Sequence, residues 1–315
     1  MTLDVLGLIA SLGLLTLAGD QFVIGLARLA SALRVRPMVV GAIVGGFGTS
    51  VPELLVAAIA TTQRKPEIAV GNLVGSNIAN LSFALAIAAI VAPVRVQSRT
   101  LRREAPLCVA AVLLLAVTAA HGFARIEGLA LLLAAIGAVV ALLLNAGRAK
   151  GRDELAVEAA EAFDLRARPV TLRDVGRAMI AMAVMLGAAE LLVRTAGSLA
   201  ERLGLAEGFI GLTVVAIGTS APLIAAAIQG ARRDEHDLVV GNVLGSNLFI
   251  SLIGGAIVGL LPGGRAPGVG VLPLVVMSAV VLAAWGFMAR GRRITRPEAT
   301  LLFLAYVCAI PFMGT

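Results

Sequence analysis

Charged and aromatic side chains are scarce in this sequence. Only 14% of its 315 residues are charged, against about 25% in soluble domains, and it contains one Trp and one Tyr. The hydrophobic share is 59%, and the mean hydropathy is +0.97. This composition excludes a soluble globular domain and predicts an all-α integral membrane protein embedded in a lipid bilayer.

Cysteine and histidine are also rare. Cys108 and Cys308 lie singly in apolar segments, where a lone cysteine usually acts as a small hydrophobic residue. Neither a CxxC pair nor a Cys/His cluster occurs, which excludes a structural zinc site. His121 and His236 fall in predicted loops without a partner at ligand spacing. A serine enzyme is excluded as well, because no Gly-x-Ser-x-Gly elbow is present.

Ten apolar segments are long enough to cross a membrane, which takes about 20 residues. We place them at 3–32, 38–62, 68–92, 105–122, 126–145, 176–200, 208–230, 237–261, 270–289 and 297–314.

The basic residues lie unevenly between these segments. If the ten spans alternate in direction, one side of the membrane receives 18 Lys and Arg and the other receives 5. An excess of Lys and Arg marks the cytoplasmic side, so both termini are expected outside. The net charge of +7 therefore reflects the orientation in the membrane and does not indicate nucleic-acid binding. Short loops and the absence of a transit peptide favour a prokaryotic cytoplasmic (inner) membrane.

The two halves of the chain repeat each other. Residues 18–80 align without a gap with residues 188–250, and 18 of the 63 positions are identical. The stretch "GTSVP" returns as "GTSAP", and "VGNLVGSN" returns as "VGNVLGSN". We infer a first five-helix repeat (1–145), a cytoplasmic linker (146–175) and a second five-helix repeat (176–315). An odd number of helices inverts the second repeat, which is an architecture of secondary transporters.

A proline lies in the middle of one span of each repeat, at Pro52 and Pro222, with Gly48 and Gly218 four residues earlier. Proline removes a helix hydrogen bond, and the freed carbonyls must be satisfied by protein or a cavity. Hydroxyls and amides gather around these breaks. All of these groups offer hard oxygen, which suits Na⁺ or Ca²⁺. They are Thr49, Ser50, Ser76, Asn80, Thr219, Ser220 and Ser246.

Glu53 carries the only charge of the two proline motifs, since the second copy has Leu223 there. An ionisable residue inside a span is a functional candidate. Two roles stay open for four asparagines, namely hydrogen bonding between helices and lining of the site. These residues are Asn72, Asn77, Asn242 and Asn247. Asp20 and Glu190 are expected to pair with a neighbouring helix, with a proton path as the alternative. An intramembrane aspartyl protease is disfavoured because "AAELL" lacks the glycine of "AGDQF".

The motifs "GFGTSVPE…GNLVGSNIAN" and "AIGTSAPL…GNVLGSNLFI" resemble the two α-repeats of the calcium/cation antiporter superfamily, which includes the sodium/calcium exchangers. The resemblance covers nearly the whole chain. It implies ten helices with cation sites between the second, third, seventh and eighth. It also implies exchange of Na⁺, H⁺, or K⁺ with Na⁺, against Ca²⁺ by alternating access. Such a protein is a transporter and not an enzyme, and its ions are cargo rather than a cofactor.

Carried over by position, the resemblance assigns cation ligands unevenly. The second repeat has Leu223 at the position of the family's glutamate. It has Ile250 at a position that is often acidic in the family. The ligands that remain are Glu53, Asn80, Thr49, Ser50, Ser76, Thr219, Ser220 and Ser246.

Three functions therefore stay open. The first is a secondary active cation antiporter that resembles sodium/calcium exchangers, with Ca²⁺ transport in doubt. The second is a carrier of a monovalent cation, or a proton-coupled carrier, that uses the surviving half-site. The third is a membrane paralogue without transport.

The orientation can be tested by cysteine labelling. A cysteine introduced next to Lys150 should react with an impermeant reagent only from the cytoplasm, because the basic excess holds that segment inside. A cysteine next to Arg125 should react only from outside. The reverse pattern would overturn the orientation while leaving the fold intact.

Overall fold

The computed structural model describes residues 1–32, 46–96, 98–147, 171–262 and 269–312. Helices dominate these ranges, as the composition predicts. They are α1 (Thr2–Ala32), α2 (Thr49–Thr62), α3 (Pro66–Val91), α4 (Ser98–His121), α5 (Arg125–Gly147), α6 (Leu172–Leu203), α7 (Glu207–Thr219), α8 (Ala221–Arg232), α9 (His236–Leu260), α10 (Val271–Gly291) and α11 (Arg296–Ala309).

Within the described residues, seven helices are long and apolar enough to cross a membrane, or eight if the bent pair α7 and α8 forms one span. The predicted second span, 38–62, begins outside the described residues, and α11 is shorter than a typical span. The count of ten thus stays a prediction, as do the repeat boundaries. Most of the predicted linker also lies outside the described ranges. His121 and His236 end α4 and begin α9 instead of lying in loops.

The two proline motifs fold differently. In the second repeat the chain bends by 45° between α7 and α8, at Ser220, two residues before Pro222. In the first repeat Pro52 lies in the first turn of the continuous helix α2. There the Asn72 amide donates a hydrogen bond to the Glu53 carbonyl at 3.2 Å. A side chain from α3 therefore satisfies part of the backbone beside the proline, as an apolar environment requires.

Helices α3 and α9 each contain one π-helical turn, at Asn80–Ala84 and Ile250–Gly254. The two turns occupy positions 170 residues apart, the same offset as the sequence repeat. A π turn inserts an extra residue and is frequent at functional sites. The extra residue rotates the side chains that follow it around the helix axis. This rotation begins at Asn80 in α3 and at Ile250 in α9.

The long helices α1 and α6 pack against each other along their length. Polar contacts fix both ends of this pair. Arg28 binds Asp174 at 3.0 Å near one end, and Asp4 accepts a hydrogen bond from Ser198 at 3.0 Å near the other. Asp4 and Asp174 are equivalent in the sequence repeat. The contacts make α1 and α6 an antiparallel pair beside the core.

The core is built around α3 and α9, which are the most buried spans. Close backbone contacts bring α3 against α7. A Cβ at Gly71 would lie 2.3 Å from the carbonyl oxygen of Gly208, and one at Gly75 would lie 2.2 Å from that of Leu212. At the same end Lys65 pairs with Glu207 at 2.6 Å. Glycine thus permits a contact that closes this end of the bundle.

The opposite end of α3 is tied to the last helices. The strand β1 (Val94–Arg95) pairs antiparallel with β2 (Arg293–Ile294). The Arg296 guanidinium donates to the carbonyl of Ile90 at 3.1 Å, near the end of α3. A cation at a helix C-terminus satisfies carbonyls without helix partners. These contacts fix where α3 ends.

Substitution of Gly75 tests the close contact between α3 and α7. We expect Gly75→Ala to lower the melting temperature of the purified protein, because overpacking typically costs about 1–3 kcal/mol. Gly187→Ala is the matched control, since a Cβ there meets nothing within 4 Å. Equal melting temperatures of the two variants in a thermal scan would contradict the packing described here.

Candidate cation site

Two threonines of the proline motifs bond across the bundle. Thr49 donates to Asn242 Oδ1 of α9 at 3.0 Å, and Thr219 donates to Asn72 Oδ1 of α3 at 3.1 Å. The two bonds are equivalent in the sequence repeat. Asn72 and Asn242 therefore do bond between helices, while the alternative that they also line the site stays open.

The other asparagine pair joins α3 to α9 directly. Asn247 donates to the backbone carbonyl of Asn77 at 3.1 Å, and Ser251 donates to the Asn77 side chain at 3.1 Å. Asn80 donates to Asn247 Oδ1 at 2.9 Å. These amides therefore hold the two central helices together. The sequence pattern gives no sign of Ser251, because this residue reaches Asn77 from within the π turn of α9, and local sequence does not predict such a turn.

The predicted serine ligands meet in the same region. Ser50 and Ser246 lie 2.7 Å apart, oxygen to oxygen, and Ser50 donates to the carbonyl of Gly46 at 2.7 Å. Asn80 also approaches Ser246 Oγ at 3.4 Å. These groups bring α2, α3 and α9 to one buried polar centre.

Glu53 lies next to this centre and is fully buried. Ser220 donates to its Oε1 at 3.2 Å, while Oε2 has no hydrogen-bond partner among the described residues. The other buried acid in the described ranges, Asp174, pairs with Arg28. No cationic side chain of the described residues pairs with Glu53. A buried carboxylate without compensation is costly, so its position requires an ion or a proton.

On α3, two oxygens are likewise buried without a partner among the described residues, Ser76 Oγ and Asn80 Oδ1. They lie one helical turn apart on α3, which packs against the α2 helix that carries Glu53. Most buried polar groups in proteins have a partner. A carboxylate, a hydroxyl and an amide oxygen are the kinds of ligand that a hard cation prefers.

Leu223 and Ile250 are both completely buried. They occupy the second-repeat positions that correspond to Glu53 and Asn80. The described residues contain no group of three or more His, Cys, Asp and Glu that could hold a metal. Within the described residues, Glu53 is thus the one carboxylate among these neutral oxygens, and its role as a cation ligand stays a prediction.

A cavity of about 330 Å³ leads toward this region from the turn that joins α8 to α9. It begins at Arg233 and Glu235 and reaches Thr49 and Asn242. We call it the vestibule. Its wall includes Asp20, Gln21, Val23, Ile24, Pro222, Ala225, Ala226, Gln229, Gly230 and Leu238.

The two repeats differ in how far their threonine–asparagine pairs are exposed. Thr49 and Asn242 are 8% and 7% exposed, whereas their repeat equivalents Thr219 and Asn72 are completely buried. Ala226 lies on the molecular surface. Among the described residues, the pair of Thr49 and Asn242 at the vestibule is thus more accessible than its repeat equivalent.

The two additional acids have different surroundings. Glu190 pairs with Arg194 of its own helix, so the expected pairing with a neighbouring helix is wrong for this residue. Asp20 lines the vestibule. The sequence repeat makes the two acids equivalent, but it does not reveal this difference.

Comparison with known proteins places this arrangement in a family. The family described as sodium/calcium exchanger protein matches residues 3–144 and 175–314. The chain belongs to this family. Its members are membrane antiporters, and the resemblance inferred from the two α-repeat motifs is confirmed.

Individual relatives match most or nearly all of the chain. The putative antiporter CaxA of Alkalimonas amylolytica is 33% identical and covers 95% of both chains. The inner membrane protein YrbG of Escherichia coli is 36% identical over 77% of this chain and 75% of its own. A solved structure of the sodium-calcium exchanger NCX_Mj, soaked with Na⁺ and Sr²⁺, covers 98% of both chains with 29% identity and a TM-score of 0.69.

Glu53→Gln tests the carboxylate. It keeps the size of the side chain and removes the charge, so we expect cation-dependent flux in proteoliposomes to be abolished. We also expect the melting temperature in cation-free buffer to rise, because an uncompensated buried charge is lost. Glu190→Gln is the control and should change neither quantity. Undiminished flux in Glu53→Gln would remove Glu53 from the mechanism.

Proposed function

We propose that this protein is a secondary active antiporter that exchanges a monovalent cation, such as Na⁺, for protons at Glu53, and that it disfavours Ca²⁺. The observation that carries the proposal is the single buried carboxylate. Glu53 has one unpartnered oxygen, and unpartnered oxygens of Ser76 and Asn80 lie on the adjoining helix. Leu223 and Ile250 add no charge.

Charge balance decides between monovalent and divalent ions. Ca²⁺ usually binds two or more carboxylates together with neutral oxygens. With Glu53 alone, a bare Ca²⁺ would leave one net positive charge buried, and an uncompensated buried charge is strongly unfavourable. One Na⁺ leaves the site neutral, and so does one proton on Glu53. Na⁺ and H⁺ compete for the Glu53 carboxylate, which cannot hold both at once. This competition couples the transport of one ion to the transport of the other.

The geometry supports alternating access to that carboxylate. The vestibule approaches the site at Thr49 and Asn242. The opposite end is closed by the contact of Gly71 and Gly75 with α7. The inverted five-helix repeats inferred from the sequence supply a second arrangement in which the two ends exchange roles, as in other transporters with such repeats. A bound ion shifts the balance only through its different affinity for the two arrangements.

The location of the open end follows from the distribution of charge. The vestibule begins at Arg233, on the side that receives the Lys and Arg excess. That side is cytoplasmic by the positive-inside rule, so the vestibule opens to the cytoplasm and both termini lie outside. The relation to YrbG, which is named an inner membrane protein, supports a prokaryotic cytoplasmic membrane.

Exchange of Na⁺ for Ca²⁺ is the second candidate function. It is favoured by the family and by the relation to NCX_Mj, which is named a sodium-calcium exchanger. In that case backbone carbonyls near the helix breaks would have to replace the missing carboxylates.

Flux through proteoliposomes separates these functions. We expect a Na⁺ gradient to move protons and a Ca²⁺ gradient to move neither Na⁺ nor protons. Ca²⁺ uptake driven by Na⁺ would establish the second candidate and overturn the first. Absence of every ion-dependent flux from folded, monodisperse protein would favour a membrane paralogue without transport.

Restoring the missing acids tests the role of charge. Leu223→Glu combined with Ile250→Asp should increase Ca²⁺ affinity by at least about tenfold, because three carboxylates can balance a divalent ion. Leu223→Gln with Ile250→Asn has similar size without charge and should gain nothing. The measurement is Ca²⁺ titration of monodisperse protein. Tight Ca²⁺ binding by the wild type, with no gain in the acidic variant, would refute the argument from charge.

A further inference from the structure

We propose that Asp20 forms an outer cation-binding site in the vestibule. It raises the local concentration of hydrated cations on the cytoplasmic side before they reach Glu53. The proposal rests on the proposed function for the identity of the cargo. Its physical content, a local preference for positive charge, can be measured without transport.

Asp20 lies on α1, inside a predicted span, and its side chain lines the vestibule. It is on the molecular surface, and no hydrogen bond or ion pair from another described residue occupies its carboxylate. An intramembrane acid normally faces a partner or a water-filled cavity. The same cavity reaches Thr49, which directly precedes Ser50 of the buried centre. The carboxylate therefore borders the route to the site.

The repeat supplies an internal comparison. Glu190 is equivalent to Asp20, and Arg194 is equivalent to Ile24. Arg194 neutralises Glu190 through an ion pair within one helical turn. Ile24 cannot do the same for Asp20. The chain thus keeps an uncompensated acid on the vestibule side and a compensated one at the equivalent position of the other repeat.

Along the described wall of the vestibule, Arg233 and Glu235 carry opposite charges at the mouth, and Asp20 adds one negative charge. Arg177 of α6 lies nearby, but its guanidinium donates to the neutral side chain of Gln21. Low-dielectric walls focus such a field and raise the local concentration of counter-ions. A hydrated monovalent or divalent cation is attracted there without losing its water. Dehydration then takes place at the buried oxygens near Glu53.

The test uses the reactivity of a cysteine in the vestibule. Ala226→Cys is introduced into a chain that also carries Cys108→Ala and Cys308→Ala, since Ala226 lines the vestibule and is not part of the donor set. Rates of modification by a cationic and an anionic methanethiosulfonate reagent are compared, applied from the cytoplasmic side. We expect the cationic reagent to react faster, and Asp20→Asn to lower the ratio of the two rates about tenfold.

Glu190→Gln is the matched control and should leave the ratio unchanged. A second measurement keeps the proposal testable if Asp20→Asn does not fold: the ratio in the Ala226→Cys protein should fall as salt is raised, because screening weakens the field. An unchanged ratio in Asp20→Asn, an equal fall in Glu190→Gln, or a salt-independent ratio near one would overturn the proposal. Because labelling requires no flux, failure of the proposed exchange activity would not change these outcomes.

Flux gives a separate check on transport. With cations applied from the cytoplasmic side, Asp20→Asn should raise the half-saturating concentration several-fold while the maximal rate stays near that of the wild type. A loss of maximal rate alone would mean that Asp20 has a structural role, and it would contradict the proposal.

Discussion

The site depends on one constraint, the burial of the Glu53 carboxylate without a cationic side chain beside it. One of its oxygens receives a hydrogen bond from Ser220, and the other is unpartnered in the described structure. Burial of such a charge is unfavourable unless something compensates it. In the described part of the chain, oxygens of Ser76 and Asn80 on the adjoining helix are also buried without a partner. The proposed exchange at Glu53 starts from this unmet requirement.

The surrounding hydrogen-bond network keeps neighbouring side chains from compensating the Glu53 carboxylate. Thr49, Thr219 and the paired asparagines use one another's hydrogen-bonding groups across α2, α3, α7 and α9. They are therefore not free to rotate and satisfy Glu53. A network whose members are satisfied rigidifies a core. The hydroxyls of both proline motifs thus fix the surrounding helices, and the second motif also bends its helix at Ser220.

Sequence reasoning predicted the parts that depend on residue type and spacing. The gapless repeat identified the proline motifs, and the hydroxyls and amides around them do meet in one buried region. The π turns at Asn80 and Ile250 left no signal, because they depend on how α3 and α9 pack rather than on local propensity. The unequal surroundings of Asp20 and Glu190 were also missed. They come from a single conformational arrangement that makes equivalent positions inequivalent, which no sequence repeat can show.

The most direct test is the position and identity of the bound ion. Crystals soaked separately in Tl⁺, as a monovalent probe, and in Sr²⁺, as a divalent probe, can be compared by anomalous scattering. The account predicts a Tl⁺ peak within coordination distance of Glu53 Oε2, Ser76 Oγ and Asn80 Oδ1, and no Sr²⁺ peak there. A strong Sr²⁺ peak at Glu53, or a Tl⁺ peak only at positions away from these three oxygens, would contradict it.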